Sequence, residues 1–104
     1  MKTHHWFTGI MLVWLSVLGG SLAAQTAFNK GLELINSNAA EAKTQLLIAQ
    51  QEDPAFHGTY HFLGVLYLDE NKLDSAVACF QQAIALNPTN VNKTKEMAYM
   101  RLVD

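Results

Sequence analysis

The chain has 104 residues, half of them hydrophobic, with a formal net charge of −2 and a single cysteine. This length accommodates one small domain, and the hydrophobic share excludes a disordered, highly charged chain. The seven basic residues are scattered along the sequence, which excludes the basic patch that is typical of a nucleic-acid-binding surface. With Cys79 alone, an intrachain disulfide is excluded as well.

The first 24 residues have the pattern of a secretory signal peptide. A weakly positive start at Lys2 precedes an uncharged apolar run over residues 6–18, and Ser21 and Ala23 give the small-x-small pattern that signal peptidase accepts. We therefore predict that residues 1–24 are a signal peptide and that the protein is exported, either to a periplasm or as a secreted protein. The alternative stays open that this segment is an uncleaved hydrophobic helix that anchors the protein in a membrane.

A 34-residue period organises the rest of the chain. Four residues return 34 positions later, with Ala42, Leu46, Ala49 and Pro54 matched by Ala76, Phe80, Ala83 and Pro88. A fixed period of this length is typical of stacked copies of one supersecondary unit, in which each copy covers the apolar face of its neighbour. The period predicts an all-α array of helical hairpins.

The second unit, residues 57–90, shows the pattern most completely. Four residues share one face of a predicted first helix: Tyr60, Leu63, Gly64 and Tyr67. Gly64 is costly inside a helix, so it indicates where a second helix approaches the backbone closely. In the turn, Asn71 tolerates the left-handed conformation, and Asp74 is predicted to cap the second helix.

These residues together resemble the tetratricopeptide repeat. The signature of that family places Trp, Leu, Gly, Tyr, Ala, Phe, Ala and Pro at fixed offsets, and the second unit matches it with Tyr60 in place of the Trp. The first unit, residues 25–56, is degenerate, because Gly31 and Leu34 lie 33 rather than 34 residues before their counterparts. The resemblance implies an α-solenoid of two hairpins, covered by a capping helix over residues 91–104.

The resemblance also implies a set of packing residues and a set of exposed ones. The predicted repeat-packing residues are Gly31, Leu34, Ala42, Leu46, Ala49, Pro54, Tyr60, Leu63, Gly64, Tyr67, Ala76, Phe80, Ala83 and Pro88. The residues predicted to form the solvent-exposed face of the capping helix are Lys93, Lys95, Glu96 and Arg101.

In this family the first helix of each repeat lines a concave groove, so a partner-binding groove is implied here. The candidate groove residues are Phe28, Asn29, Leu32, Ile35, His61, Phe62, Val65, Leu68 and Asp69, with Asn36 at the polar edge. The positions at which some members hold a partner's terminal carboxylate carry Phe28, Leu32, His61 and Val65 here. An apolar groove suits an amphipathic helix or an extended apolar segment instead. The alternative is that so short an array forms no groove, and that Phe62 and Leu68 pack between helices.

The sequence therefore predicts a protein–protein interaction module, an adaptor, scaffold or assembly factor outside the cytoplasm, with no enzymatic activity, cofactor or bound metal. Self-association into a homo-oligomer stays open, because arrays of fewer than three repeats bury little core. One alternative is a membrane-anchored subunit of an envelope complex. Another is a metal-binding or redox role for His57, His61 and Cys79. The two histidines lie four positions apart on one helix face, but no third ligand is evident.

Overall fold

The computed structural model describes residues 21–103, and these residues form five α-helices and no strand. In chain order the helices are α1 (Leu22–Leu34), α2 (Ala39–Glu52), α3 (His57–Asp69), α4 (Leu73–Leu86) and α5 (Lys93–Val103). The prediction of an all-α chain is confirmed. Most of the predicted signal peptide, residues 1–20, lies outside the described residues. Among residues 21–103, none of the helices has the length and apolar character that a membrane span requires.

Two helical hairpins, α1–α2 and α3–α4, stack through α2 and α3, and α5 packs on α4. Glycine allows the two helices of each hairpin to come close. A Cβ atom on Gly31 would lie 2.8 Å from Cγ of Leu46, and one on Gly64 would lie 2.5 Å from Cε1 of Phe80. Both distances are shorter than real side chains allow, so each glycine provides the space that a large side chain of the second helix fills.

The turn of the second hairpin has the backbone conformation that the sequence predicts. Among the described residues, Asn71 is the one non-glycine residue with a positive φ, at 60°. The amide of Lys72 then donates to the carbonyl of Tyr67 at 2.8 Å, which satisfies one of the last carbonyls of α3.

The prediction that Asp74 caps α4 is wrong. The helix begins at Leu73, its N-cap residue is Lys72, and no side chain caps it. Asp74 lies instead in the first helical turn, where the partial positive charge of the helix N-terminus favours a carboxylate. The first hairpin does have a side-chain cap, because Oδ1 of Asn38 accepts a hydrogen bond from the amide of Glu41 at 3.2 Å.

Small residues alternate with large ones in the core. Of the predicted packing residues, the buried ones are Gly31, Ala42, Leu46, Ala49, Tyr60, Leu63, Gly64, Ala76, Phe80 and Ala83. Leu34 and Tyr67 are half-buried, whereas Pro54 and Pro88 are exposed. Each proline follows directly after the C-cap residue of α2 or α4, where it prevents the helix from continuing.

Candidate functional site

The first helices of the two hairpins, α1 and α3, carry the candidate groove residues and approach each other. The rings of Phe28 on α1 and Phe62 on α3 lie 5.9 Å apart between centroids. All six apolar groove residues are half-buried: Phe28, Leu32, Ile35, Phe62, Val65 and Leu68. The polar residues Asn29, Asn36 and Asp69 are exposed. The surface is therefore a half-buried apolar strip with polar residues beside it.

Part of this strip also serves the core. Phe28, Ile35 and Phe62 pack against the buried cluster around Leu46 and Leu63. Packing between helices and lining a groove are thus not exclusive, since a half-buried side chain contacts the core with one side and leaves the other open. Phe62 contacts the core in this way.

A cleft of about 380 Å³ opens beside this strip. Its lining residues are Ala24, Gln25, Phe28, Asn29, Ala49, Asp53, Phe56 and Thr59. Phe28 and Asn29 are the two candidate groove residues among them. The ring of Phe56 stands edge-on to that of Phe28, with centroids 5.0 Å apart, in the arrangement that aromatic pairs prefer. Phe56 is 38% exposed, so a ligand in the cleft would reach its ring.

Polar groups surround the apolar floor of the cleft. The carboxylate of Asp53 accepts a hydrogen bond from the amide of Ala55 at 3.2 Å and is only half-buried. Gln25 and Asn29 are exposed on α1. The cleft thus combines an aromatic floor with hydrogen-bonding groups and one negative charge, the combination that fixes a bulky side chain in a defined orientation.

Sequence reasoning missed Phe56, Asp53 and Thr59 as lining residues. Phe56 and Asp53 lie in the connection between the hairpins, where helical periodicity carries no information. The available signal was an aromatic residue directly before a helix, followed by Gly58. A Cβ on Gly58 would lie 2.8 Å from Cζ of Phe56, so the glycine leaves room for that ring over the start of α3.

The placement of His61 at the groove edge is wrong, and so is that of Glu96 on an exposed face of α5. His61 is 5% exposed and Glu96 is 0% exposed. Nδ1 of His61 lies 2.9 Å from Oε2 of Glu96, and the side-chain amide Nδ2 of Asn90 donates to the other carboxylate oxygen at 3.4 Å. The helix begins at Lys93 rather than at residue 91, and its register turns Glu96 inward. His61 is therefore a link between α3 and α5, not a contact for a partner.

The metal-binding and redox alternatives gain no support from the geometry. Among residues 21–103, no three His, Cys, Asp or Glu side chains come together as a metal site. Nδ1 of His57 is buried without a hydrogen-bond partner, while His61 is engaged by Glu96. Cys79 is half-buried on α4, and this burial raises the pKa of its thiol to about 11. A thiol with so high a pKa is mostly protonated at neutral pH, which is the opposite of a reactive cysteine.

Comparison with known protein families adds one finding. The family model described as Tetratricopeptide repeat matches residues 59–90. The match begins in the first turn of α3, runs through α4 and ends at Asn90. It therefore coincides with the second hairpin, the unit in which the glycine–aromatic contact is tightest.

Proposed function

We propose that the chain, in which residues 59–90 match the tetratricopeptide repeat model, is a protein–protein interaction module that holds a segment of another protein along α1 and α3. The observation that carries the proposal is the strip of six half-buried apolar side chains on these helices, with the Phe28–Phe56 cleft beside it. Apolar side chains left half-open along two neighbouring helices gain free energy when a partner covers them.

The chemistry of the strip favours an amphipathic helix or an extended apolar segment as the bound partner. A side chain the size of Leu or Phe fits the cleft, where Phe56 supplies an exposed ring face. Asp53 lines the cleft and Asp69 lies beside the strip, and both are acidic. A basic residue beside the apolar anchors of the partner would complement them.

The test compares a variant on the strip with a control variant on α2. Leu68→Lys places a charge on the strip, and Leu47→Lys places the same charge on α2, where Leu47 is 37% exposed. Peptides selected from a displayed random library against the full chain are measured by fluorescence anisotropy. Leu68→Lys is expected to weaken binding at least about 10-fold, because it buries an unpaired charge, and Leu47→Lys is expected to have no effect. Equal binding by a folded Leu68→Lys variant would refute the groove.

We propose further that the protein acts outside the cytoplasm as an adaptor or assembly factor, on the strength of the N-terminal pattern in the sequence. A second candidate is a membrane-anchored subunit that keeps its N-terminal segment. One contact at the start of α1 favours it. Oγ of Ser21 accepts a hydrogen bond from the amide of Ala24 at 2.9 Å, and Ala24 is only 6% exposed. Residues 21–24 therefore belong to the start of α1, and removing a cap of this kind costs about 0.5–2 kcal/mol.

The mass of the native protein distinguishes these two forms. A mass that corresponds to a chain starting at Gln25 would support export with cleavage. A mass that includes residues 1–24, together with retention in the membrane pellet after alkaline extraction, would support the anchored subunit. Recovery of the uncleaved chain in the cytosolic fraction would contradict both.

A further inference from the structure

We propose that α5 carries a second binding face, separate from the strip on α1 and α3, and that this face takes an acidic amphipathic helix of a partner protein. The partner helix would pack on Ala98 in the way that α2 packs on Gly31 and α4 packs on Gly64.

The first argument is the register of small residues. In both hairpins a small residue of the first helix receives a large side chain of the second, with Leu46 over Gly31 and Phe80 over Gly64. Ala98 lies 34 residues after Gly64 and occupies the same position on α5. It is exposed. α5 thus presents an exposed small residue at the position where the first helix of each hairpin receives a large side chain.

The second argument is the apolar character of this face. Of the seven exposed large hydrophobic side chains in the described part of the chain, three belong to α5 and the turn before it: Val91, Met97 and Leu102. Met97 is 39% exposed and Leu102 is 78% exposed. Met97 precedes Ala98 directly, and Leu102 lies one helical turn after it on the same side of the helix. A large side chain seated on Ala98 would contact both.

The opposite side of α5 is fixed to the array. Tyr99 stacks on the buried ring of Phe80, with centroids 5.3 Å apart, and Glu96 pairs with His61 at 2.9 Å. A helix held by a stacked aromatic pair and a buried polar contact presents its outer face in one orientation. A partner then binds without the cost of ordering that face.

Charge decides which partner fits. Lys95 and Arg101 are exposed on α5 on either side of Ala98, whereas the acidic residue of this helix, Glu96, is fully buried. The accessible surface of α5 is therefore basic and apolar, in a chain whose formal net charge is −2. A second copy of α5 would bring like charges together, which opposes a dimer through this face. A helix with a Leu between two Ala residues, as at Ala42, Leu46 and Ala49 of α2, and with acidic flanks complements it.

The test uses two synthetic helical peptides that share this Ala–Leu–Ala face and differ only in flanks of Glu or of Lys. Binding to the full chain is measured by fluorescence anisotropy at low and high salt. The Glu peptide is expected to bind at least about 10-fold more tightly than the Lys peptide, with an advantage that shrinks as salt screens the charges. Ala98→Glu, at an exposed site where the fold is retained, is expected to abolish binding. Leu47→Glu on α2 is the matched control.

Three results would overturn the proposal. The first is equal binding of the Glu and Lys peptides. The second is undiminished binding to a folded Ala98→Glu variant. The third is self-association in sedimentation that Ala98→Glu abolishes, which would make a second copy the occupant. The variant Leu68→Lys separates this face from the groove, because it is expected to leave binding of the Glu peptide unchanged.

Discussion

Replacing Gly64 with alanine adds a single methyl group at the tightest contact between α3 and α4. The new Cβ would lie 2.5 Å from Cε1 of Phe80 and 2.8 Å from both Cδ1 and Cζ. Phe80 is fully buried, with the ring of Tyr99 stacked at 5.3 Å on one side and the ring of His61 at 6.2 Å. The phenyl ring therefore has no free volume into which it could turn, and the two helices must separate.

Two effects of opposite sign decide the magnitude. Alanine is favoured over glycine inside a helix by about 1 kcal/mol. Overpacking a closed core costs about 1–3 kcal/mol, and the contact with three atoms of an immobile ring belongs at the upper end of that range. We expect Gly64→Ala to lower the free energy of unfolding by about 1–2 kcal/mol, which lowers Tm by about 4–8 °C per kcal/mol for a domain of this size.

Circular dichroism of the full chain during urea and thermal unfolding measures the change, and Gly58→Ala is the matched control. Gly58 is also a buried glycine of α3, but its added Cβ would meet Phe56 at 2.8 Å through the outer end of a ring that is 38% exposed. That ring can turn away, so Gly58→Ala is expected to be neutral or stabilising. A Gly64→Ala variant as stable as the wild type would refute the close approach of α3 and α4.

Three further predictions concern other contacts. Glu96→Ala leaves Nδ1 of His61 buried without its partner, so we expect urea denaturation to show a loss of about 1–3 kcal/mol, and Glu96→Gln, which keeps an acceptor oxygen, to lose less. Tyr60→Phe removes the hydrogen bond from the hydroxyl to the carbonyl of Pro54 at 2.7 Å, and thermal unfolding should show a loss of about 0.5–1.5 kcal/mol. Because burial raises the pKa of Cys79 from 9.0 to about 11, a disulfide reagent at pH 8 should label the native thiol about 100-fold more slowly than the unfolded one.

The hairpins could be predicted from the sequence because their contacts recur with a fixed period. Gly64 and Phe80 are each informative alone, but the recurrence of such a pair in Gly31 and Leu46, which lie one position closer together, indicates a helix pair with a defined closest point. The turn between α3 and α4 could be predicted from Asn71 alone, since asparagine is one of the few non-glycine residues that tolerate a positive φ. At these positions the backbone preference of the residue and the packing between the helices favour the same structure, and such agreement makes a prediction reliable.

The cleft and the link between α3 and α5 could not be predicted in the same way. The position of Phe56 depends on how the connection between the hairpins folds, and no periodicity governs that connection. The sequence predicts an exposed Glu96 because carboxylates are rarely buried without a partner. Its partner His61 lies 35 positions earlier, and a pairing across two helices is visible only when the rotation of α5 about its axis is known.

The same link determines which substitutions can distinguish the two proposed surfaces. On α3, His61 is followed directly by Phe62, and the two rings contact each other edge-to-face at 4.9 Å. A substitution at His61 would therefore release α5 and also disturb the strip on α1 and α3, so that loss of binding at either surface could not be assigned. Ala98 and Leu68 avoid this problem, because each lies on one surface and neither contributes to the His61–Glu96 contact. Loss of groove binding in Leu68→Lys and of acidic-peptide binding in Ala98→Glu, each without effect on the other, is the result that two independent surfaces require.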